Sequence, residues 1–197
     1  MALEIPTIDV IGKRVVVLGG GDTAMDCLRS AIRAGAAEAV CIYRRDLTNM
    51  PGNRKEYYNA IEEGAEFLFL TNPVALKSDG HGNVAGVRCI KMELGDPDFS
   101  GRRKPRVVPN SEFTIAADLI IVAYGFDPVP LPPDSDFNRI AVNDWGTIRV
   151  DEEQMTNVPG VFAGGDVVRG ASLVVHAVRD GRKAALGIHR YIRPPAD

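Results

Sequence analysis

Cysteine and histidine are scarce in this 197-residue chain, with three of each. Cys27, Cys41 and Cys89 lie far apart and form no C-x-x-C pair, so no zinc ribbon or iron-sulfur cluster is written into the sequence. They read instead as reduced thiols buried in the core. His81 sits in a Gly-Asn turn, and His176 and His189, thirteen positions apart on one predicted helix, face different directions at about 3.6 residues per turn. No protein metal site is expected. Long apolar runs are missing too: the strongest, Leu119 to Ala123, falls well short of the roughly 20 residues that cross a bilayer. Residues 1–13 carry Glu4 and Asp9 and lack a basic start followed by an apolar stretch, which argues against a secretory signal and for the cytoplasm. With a formal net charge of −3 and no extended basic surface, nucleic acid is not an expected partner. Nor does any nucleophile and base pair emerge, so no catalytic residue is assigned and the chemistry is expected to belong to a cofactor.

What is present is a globular composition, 45% hydrophobic and 25% charged, with a strong alternation of strands and helices. Arg14 to Leu18 is a β-branched run that ends in Gly19-Gly20-Gly21. After it Ala24, Cys27, Leu28, Ala31 and Ile32 recur at helical spacing up to Gly35. Ala39 to Tyr43 is a second, nearly continuous apolar strand, the pattern of a parallel strand covered on both faces. A right-handed crossover puts both strand ends on the edge of the glycine turn, so Arg44 and Arg45 are expected to point into the same crevice. A helix over 53–63 and a strand over 66–70 follow, and Thr71-Asn72-Pro73 reads as a break. Residues 74–78 and 84–92 form an antiparallel hairpin around Asp79-Gly80-His81-Gly82-Asn83. The polar stretch 95–110 reads as an exposed loop, followed by strands near 112–115 and 118–123.

Pro128, Pro130, Pro132 and Pro133 form a stiff extended connection, where the domain boundary is placed. Beyond it lie short strands near 140–142 and 147–150, the run Gly160 to Asp166 and a helix over 172–192, in which Gly181 is expected to mark close packing. About 60 residues are few for an independent core, so this part is expected to need a partner surface. The fold class is therefore α/β: a Rossmann-like three-layer domain with a β-meander over 1–125, a Pro-rich linker over 126–138, and a C-terminal segment over 139–197.

Gly19-x-Gly21-x-x-Ala24 fits the dinucleotide pattern. The first glycine makes the turn, the second lets backbone approach a pyrophosphate, and the third small residue lets helix pack on strand. Gly20, Asp22 and Thr23 complete the loop, and the helix start offers free N–H groups and a positive dipole end to phosphates. A merely structural glycine turn is the alternative. The end of the second strand adds context, because an NAD site wants an acid there and a 2′-phosphate wants arginine. Arg44 and Arg45 point to NADPH; the other reading is a solvated turn in which they pair with Asp46. Arg54 or Lys55 would add a third cation, or be an ordinary exposed helix face. In the second half, Gly165-Asp166 ends an apolar strand before a helix. Asp166 suits a ribityl hydroxyl, or equally a helix cap.

Together, Val15 to Cys27, Tyr43-Arg44-Arg45-Asp46 and Asn49-Met50-Pro51-Gly52 resemble the small (beta) subunits of NADPH-dependent glutamate synthases, a likeness that runs nearly end to end. Ala123-Tyr124-Gly125-Phe126 resembles that family's crossing segment between domains, and Val161 to Gly170 its flavin-contacting motif. NADPH-binding subunits of ferredoxin oxidoreductases and a region of dihydropyrimidine dehydrogenase share these motifs. The resemblance implies an NADPH domain inserted into an FAD domain, with electrons passing from NADPH through FAD to a glutamate-forming large subunit. It places Gly165 and Asp166 at the flavin ribityl and phosphate region, and Leu173 and Val174 near the isoalloxazine ring. This chain has no earlier G-x-G-x-x-G for FAD and none of the family's iron-sulfur cysteines. It is expected to be the C-terminal portion of a longer subunit, with only part of the FAD site and no turnover alone. A stand-alone nucleotide-binding module is the other expectation.

Overall fold

A computed structural model describes residues 8–97, 101 and 103–193. They belong to two compact units, Met1–Tyr124 and Gly125–Asp197. The first contains β1 (Arg14–Leu18), α1 (Asp22–Arg33), β2 (Glu38–Ile42), α2 (Arg54–Glu62), β3 (Glu66–Leu68), β4 (Thr71–Ser78), β5 (Val84–Pro97), β6 (Arg103–Val107), β7 (Phe113–Ala116) and β8 (Leu119–Val122). The second contains a 3-10 turn (Asp136–Arg139), α3 (Asp166–Arg169) and α4 (Val174–Ile192).

In the first unit β1 lies between β2 and β8, with β3 outside β2, and every pairing is parallel. Successive residues of a strand face opposite ways, and β1 shows what each face meets. Val15 and Val17 join Ala24, Met25, Leu28 and Cys41 in a core beneath the helices. Val16 and Leu18 join Val40, Ile42, Val87, Cys89 and Ala117 beneath the antiparallel strands. The meander thus replaces the second helix layer, and the expected three-layer α/β architecture is what forms. Strand β5 is its spine, pairing antiparallel with β4, β6 and β7.

Two local expectations are corrected. Pro73 does not break the chain: it lies inside β4, where a register shift between Pro73 and Ala75 absorbs its missing donor. The stretch 95–110 is not simply a loop, since β5 runs on to Pro97 and β6 pairs with it. The Arg103 side chain ties this extension together, donating to the carbonyls of Leu94 and Gly95 at 2.9 and 3.0 Å.

The second unit is built on turns. The Asn143 Oδ1 accepts from the Trp145 and Thr147 amides, leaving the Trp145 ring 83% exposed. Isolated bridges join Val142 to Ile148 and Met155 to Phe162. Helix α4 turns Ala177, Asp180, Ala184 and Gly187 inward at helical spacing, while Val174, Val175, Val178 and Leu186 stay exposed. Gly181 was expected to mark close packing, but a Cβ there would meet no atom within 4 Å; the close approach is at Gly187, where it would lie 2.5 Å from the Glu153 carbonyl oxygen. Gly187→Ala should therefore destabilise this unit by about 1–3 kcal/mol through overpacking. Gly181→Ala should stabilise it by about 0.5–1 kcal/mol by removing helix-interior glycine. Thermal unfolding of the two variants side by side checks the opposite signs.

Candidate functional site

The glycine turn leaves β1 with three different constraints on three successive residues. Gly19 has φ +138°, and a Cβ there would lie closer than 3.0 Å to the carbonyl oxygen of Ala123, the residue that follows β8. A Cβ on Gly20 would lie 2.6 Å from the Tyr43 ring. Gly21 has an ordinary φ of −91° and open space around it. Ala24 is fully buried and lets α1 settle on the sheet beside Met25 and Leu28. The amides of Ala24 and Met25 both donate to the Gly21 carbonyl. Those of Asp22 and Thr23 have no acceptor among the described residues, so the start of α1 presents donors outward.

A second loop, after β2, is laced to the first. The Gly52 amide donates to the Gly20 carbonyl at 3.0 Å, and the Asn53 amide donates to Asp22 Oδ1 at 2.7 Å. Arg44 and Arg45 were both expected to face the crevice, and the structure separates them. Arg44 is exposed, with no hydrogen bond or ion pair to a described residue. Arg45 is 7% exposed, and its Nε donates to the Arg103 carbonyl at 2.8 Å. Arg54 Nη2 donates to the Thr48 carbonyl at 3.1 Å, and the exposed Lys55 offers its amide to the capping Asn53 side chain. Asp46 accepts from the Asn49 amide and side chain. Desolvation raises the Asp46 carboxyl, but the Asn49 hydrogen bonds and the nearby Arg103 charge outweigh it and hold the group below the usual carboxylate range. The pairing of both arginines with Asp46 that the sequence left open is not what forms. Sequence reasoning cited Tyr43, Asn49 and Gly52 only within resembling motifs and gave neither them nor Asn53 their role of locking the two loops.

In the second unit Gly165 (φ +76°) is buried, and Asp166 opens α3 with an exposed carboxylate. The cap alternative for Asp166 is set aside, because Gly165 holds the cap position and no side chain bonds there. Helix α3 is only four residues long and ends at Gly170 (φ +77°), and the long helix expected over 172–192 forms separately as α4 from Val174. Leu173 and Val174, at the start of α4, are 59% and 78% exposed. Gly125 has φ +86° and open surroundings.

The charged stretch from Arg179 to Lys183 hides the most buried acid among the unit's described residues. Asp180 is 1% exposed; it pairs with Arg169 through two hydrogen bonds, one of 2.7 Å from Nη2, and accepts the Gly165 amide at 3.1 Å. The Arg169 guanidinium beside it holds its carboxyl down to about 2. The signal available in sequence was the 3-4-3 spacing of Ala177, Asp180, Ala184 and Gly187.

The cysteines are free of disulfides, and burial pushes the Cys41 thiol up to about 12 and the Cys89 thiol up to about 11. Such thiols are poor nucleophiles at neutral pH. No helix among the described residues is long and apolar enough to cross a membrane.

The chain is similar to several known proteins. It is 52% identical over 197 residues to the small chain of NADPH glutamate synthase from Azospirillum brasilense, covering 100% of this chain and 40% of that protein. It is also 52% identical over 190 residues to a putative oxidoreductase, AegA, of Escherichia coli (strain K12), covering 94% of this chain and 28% of that protein. The chain thus spans less than half the length of these relatives. Thioredoxin reductase of Lactococcus lactis shares the fold, with a TM-score of 0.74 at 23% identity over 92% of this chain and 54% of that one. The resemblance to glutamate synthase small subunits read from the glycine and arginine motifs is borne out. The pyridine nucleotide-disulphide oxidoreductase family matches residues 2–181, and this chain belongs to that family.

Proposed function

We propose that this chain supplies the NADPH site of a flavin-dependent oxidoreductase of the glutamate synthase type. One observation carries the reading: the open Gly21 and the outward amides of Asp22 and Thr23 share a sheet edge with Arg44, an exposed cation with no hydrogen bond or ion pair to a described residue. The helix start suits a pyrophosphate, and Arg44 suits a ribose 2′-phosphate. Arg45 and Arg54 add positive charge while anchored to the carbonyls of Arg103 and Thr48. Gly19 and Gly20 shape the turn, and Ala24 seats the helix.

In the same reading, residues 1–125 are the nucleotide domain, 126–138 the linker with Gly125 at its start, and 139–197 the last segment of an FAD domain. Gly165, Asp166, Leu173 and Val174 would hold one part of the flavin. Asp166 fits a hydroxyl partner, because its carboxylate is exposed and uncommitted to a cap. NADPH bound here would supply a hydride, and FAD would accept it. The full-length protein would pass electrons on to a glutamate-forming large subunit in the cytoplasm. A different acceptor is the second reading, favoured by the equal 52% identity to AegA.

Titration of the chain with NADPH and NADH tests the site. NADPH should bind at least about tenfold tighter, and Arg44→Ala should cost about 2 kcal/mol for NADPH with little change for NADH. Equal affinities would sink the role given to the arginines. Adding FAD and an artificial acceptor to the same mixture should give no turnover at catalytic concentration, since this chain presents only one part of the flavin site.

A further inference from the structure

Strand β2 delivers Arg44, Arg45 and Asp46 in succession to the edge where the nucleotide ribose is proposed to lie. An acid at that edge attracts a 2′-hydroxyl and repels a 2′-phosphate. Asp46 therefore works against an NADPH site unless its charge is engaged elsewhere. Its hydrogen bonds come from Asn49, which donates to Asp46 Oδ1 from its backbone amide at 2.9 Å and from Nδ2 at 2.7 Å, and the Arg103 charge lies nearby. The other polar groups of Asn49 are committed as well. Its Oδ1 accepts the Arg103 amide at 2.9 Å, and its carbonyl accepts the Tyr43 hydroxyl at 3.0 Å. The Tyr43 ring in turn fills the space beside Gly20.

Asn49 is 9% exposed, so these bonds form where water competes poorly and each partner constrains the next. The asparagine amide suits the task, having a donor for the acid and an acceptor for the β6 backbone in one planar group. No ion pair joins Asp46 to Arg44 among the described residues.

We propose that Asn49 is a positioning residue for nucleotide discrimination: it holds the Asp46 carboxylate within the loop's own hydrogen bonds and so leaves the Arg44 charge to a 2′-phosphate. The proposal rests on the NADPH reading above and extends it from the cations to the residue that holds the neighbouring acid away from Arg44. Without Asn49, Asp46 is released to pair with Arg44 or to accept from a ribose 2′-hydroxyl. Either outcome lowers the preference for NADPH.

The test compares wild type, Asn49→Ala and the double variant Asp46→Ala/Asn49→Ala, each titrated with NADPH and NADH at one ionic strength. In Asn49→Ala the ratio of NADPH to NADH affinity should fall about tenfold or more, with NADH affinity kept or improved. In the double variant, which has no carboxylate to release, the ratio should return toward wild type. A residue that merely holds the loop together would weaken both nucleotides in parallel and would gain nothing from removal of Asp46; that pattern overturns the proposal. Asn49→Leu is similar in volume but has no side-chain donor or acceptor, and it carries the same measurement if Asn49→Ala does not fold. A ratio within about twofold of wild type in the folded variant also overturns it. Equal affinity of the wild type for both nucleotides would instead remove the cation reading itself, and this proposal with it.

Discussion

Gly19→Ala should lose nucleotide binding and destabilise the N-terminal unit by about 3 kcal/mol or more. Two costs coincide at this position. A φ of +138° is strained for any side chain, and the added methyl would press on the Ala123 carbonyl oxygen just past β8, which is backbone and cannot swing away. Moving β8 would disturb its pairing with β1, the strand that aims the turn. Gly21→Ala separates structure from binding, since its φ is ordinary and no protein atom lies within 4 Å. This variant should keep the wild-type thermal midpoint and lose affinity for NADPH, because the methyl would occupy the side from which a pyrophosphate approaches. Wild-type affinity in Gly21→Ala would refute that role; an unchanged midpoint in Gly19→Ala would refute the strain argument.

Asp180→Ala should unravel the C-terminal unit's organisation around α4. The substitution strips the Gly165 amide of its acceptor and leaves the Arg169 guanidinium without its partner, at a place where the 164–166 turn meets the helix. A Cβ on Gly164 would already lie 2.9 Å from Asp180 Cβ, so this packing has no slack for rearrangement. The same pair gives a pH dependence whose sign follows from the direction of the shift. The folded carboxyl is held at about 2, below its unfolded value of roughly 3.9. Its contribution is therefore complete above about pH 4 and is lost as the pH falls toward about 2. Acid titration of wild type should show α4 loosening in that window. Asp180→Asn, weaker at neutral pH, should be flat across it. Matching acid profiles for the two proteins would disprove the assignment.

The parallel core was legible because burial on both faces imposes continuous β-branched runs. Arg14 to Leu18 is β1 to the residue, and Ala39 to Tyr43 misses β2 by one position. Strand β6 was not legible, since Arg-Lys-Pro-Arg-Val has no apolar face; its pairing comes from β5 and from the bonds that its own Arg103 side chain makes to the Leu94 and Gly95 carbonyls. The two arginines were legible as a pair but not as individuals. Which one is drawn inward depends on the Arg103 carbonyl, 58 positions away. Asp180 was hidden by composition, because a run of charges reads as a solvated face until an arginine from another element arrives to pair with one of them.

Trp145, the sole tryptophan, sits on the turn held by Asn143 and is 83% exposed in the folded chain. An indole already so well solvated emits near its unfolded wavelength, and the N-terminal unit has no tryptophan at all. Intrinsic tryptophan fluorescence is therefore nearly blind to the unfolding of either unit. The acid transition at Asp180 has to be followed through the helical circular dichroism of α4, and nucleotide binding through heat or through the absorbance of the nicotinamide.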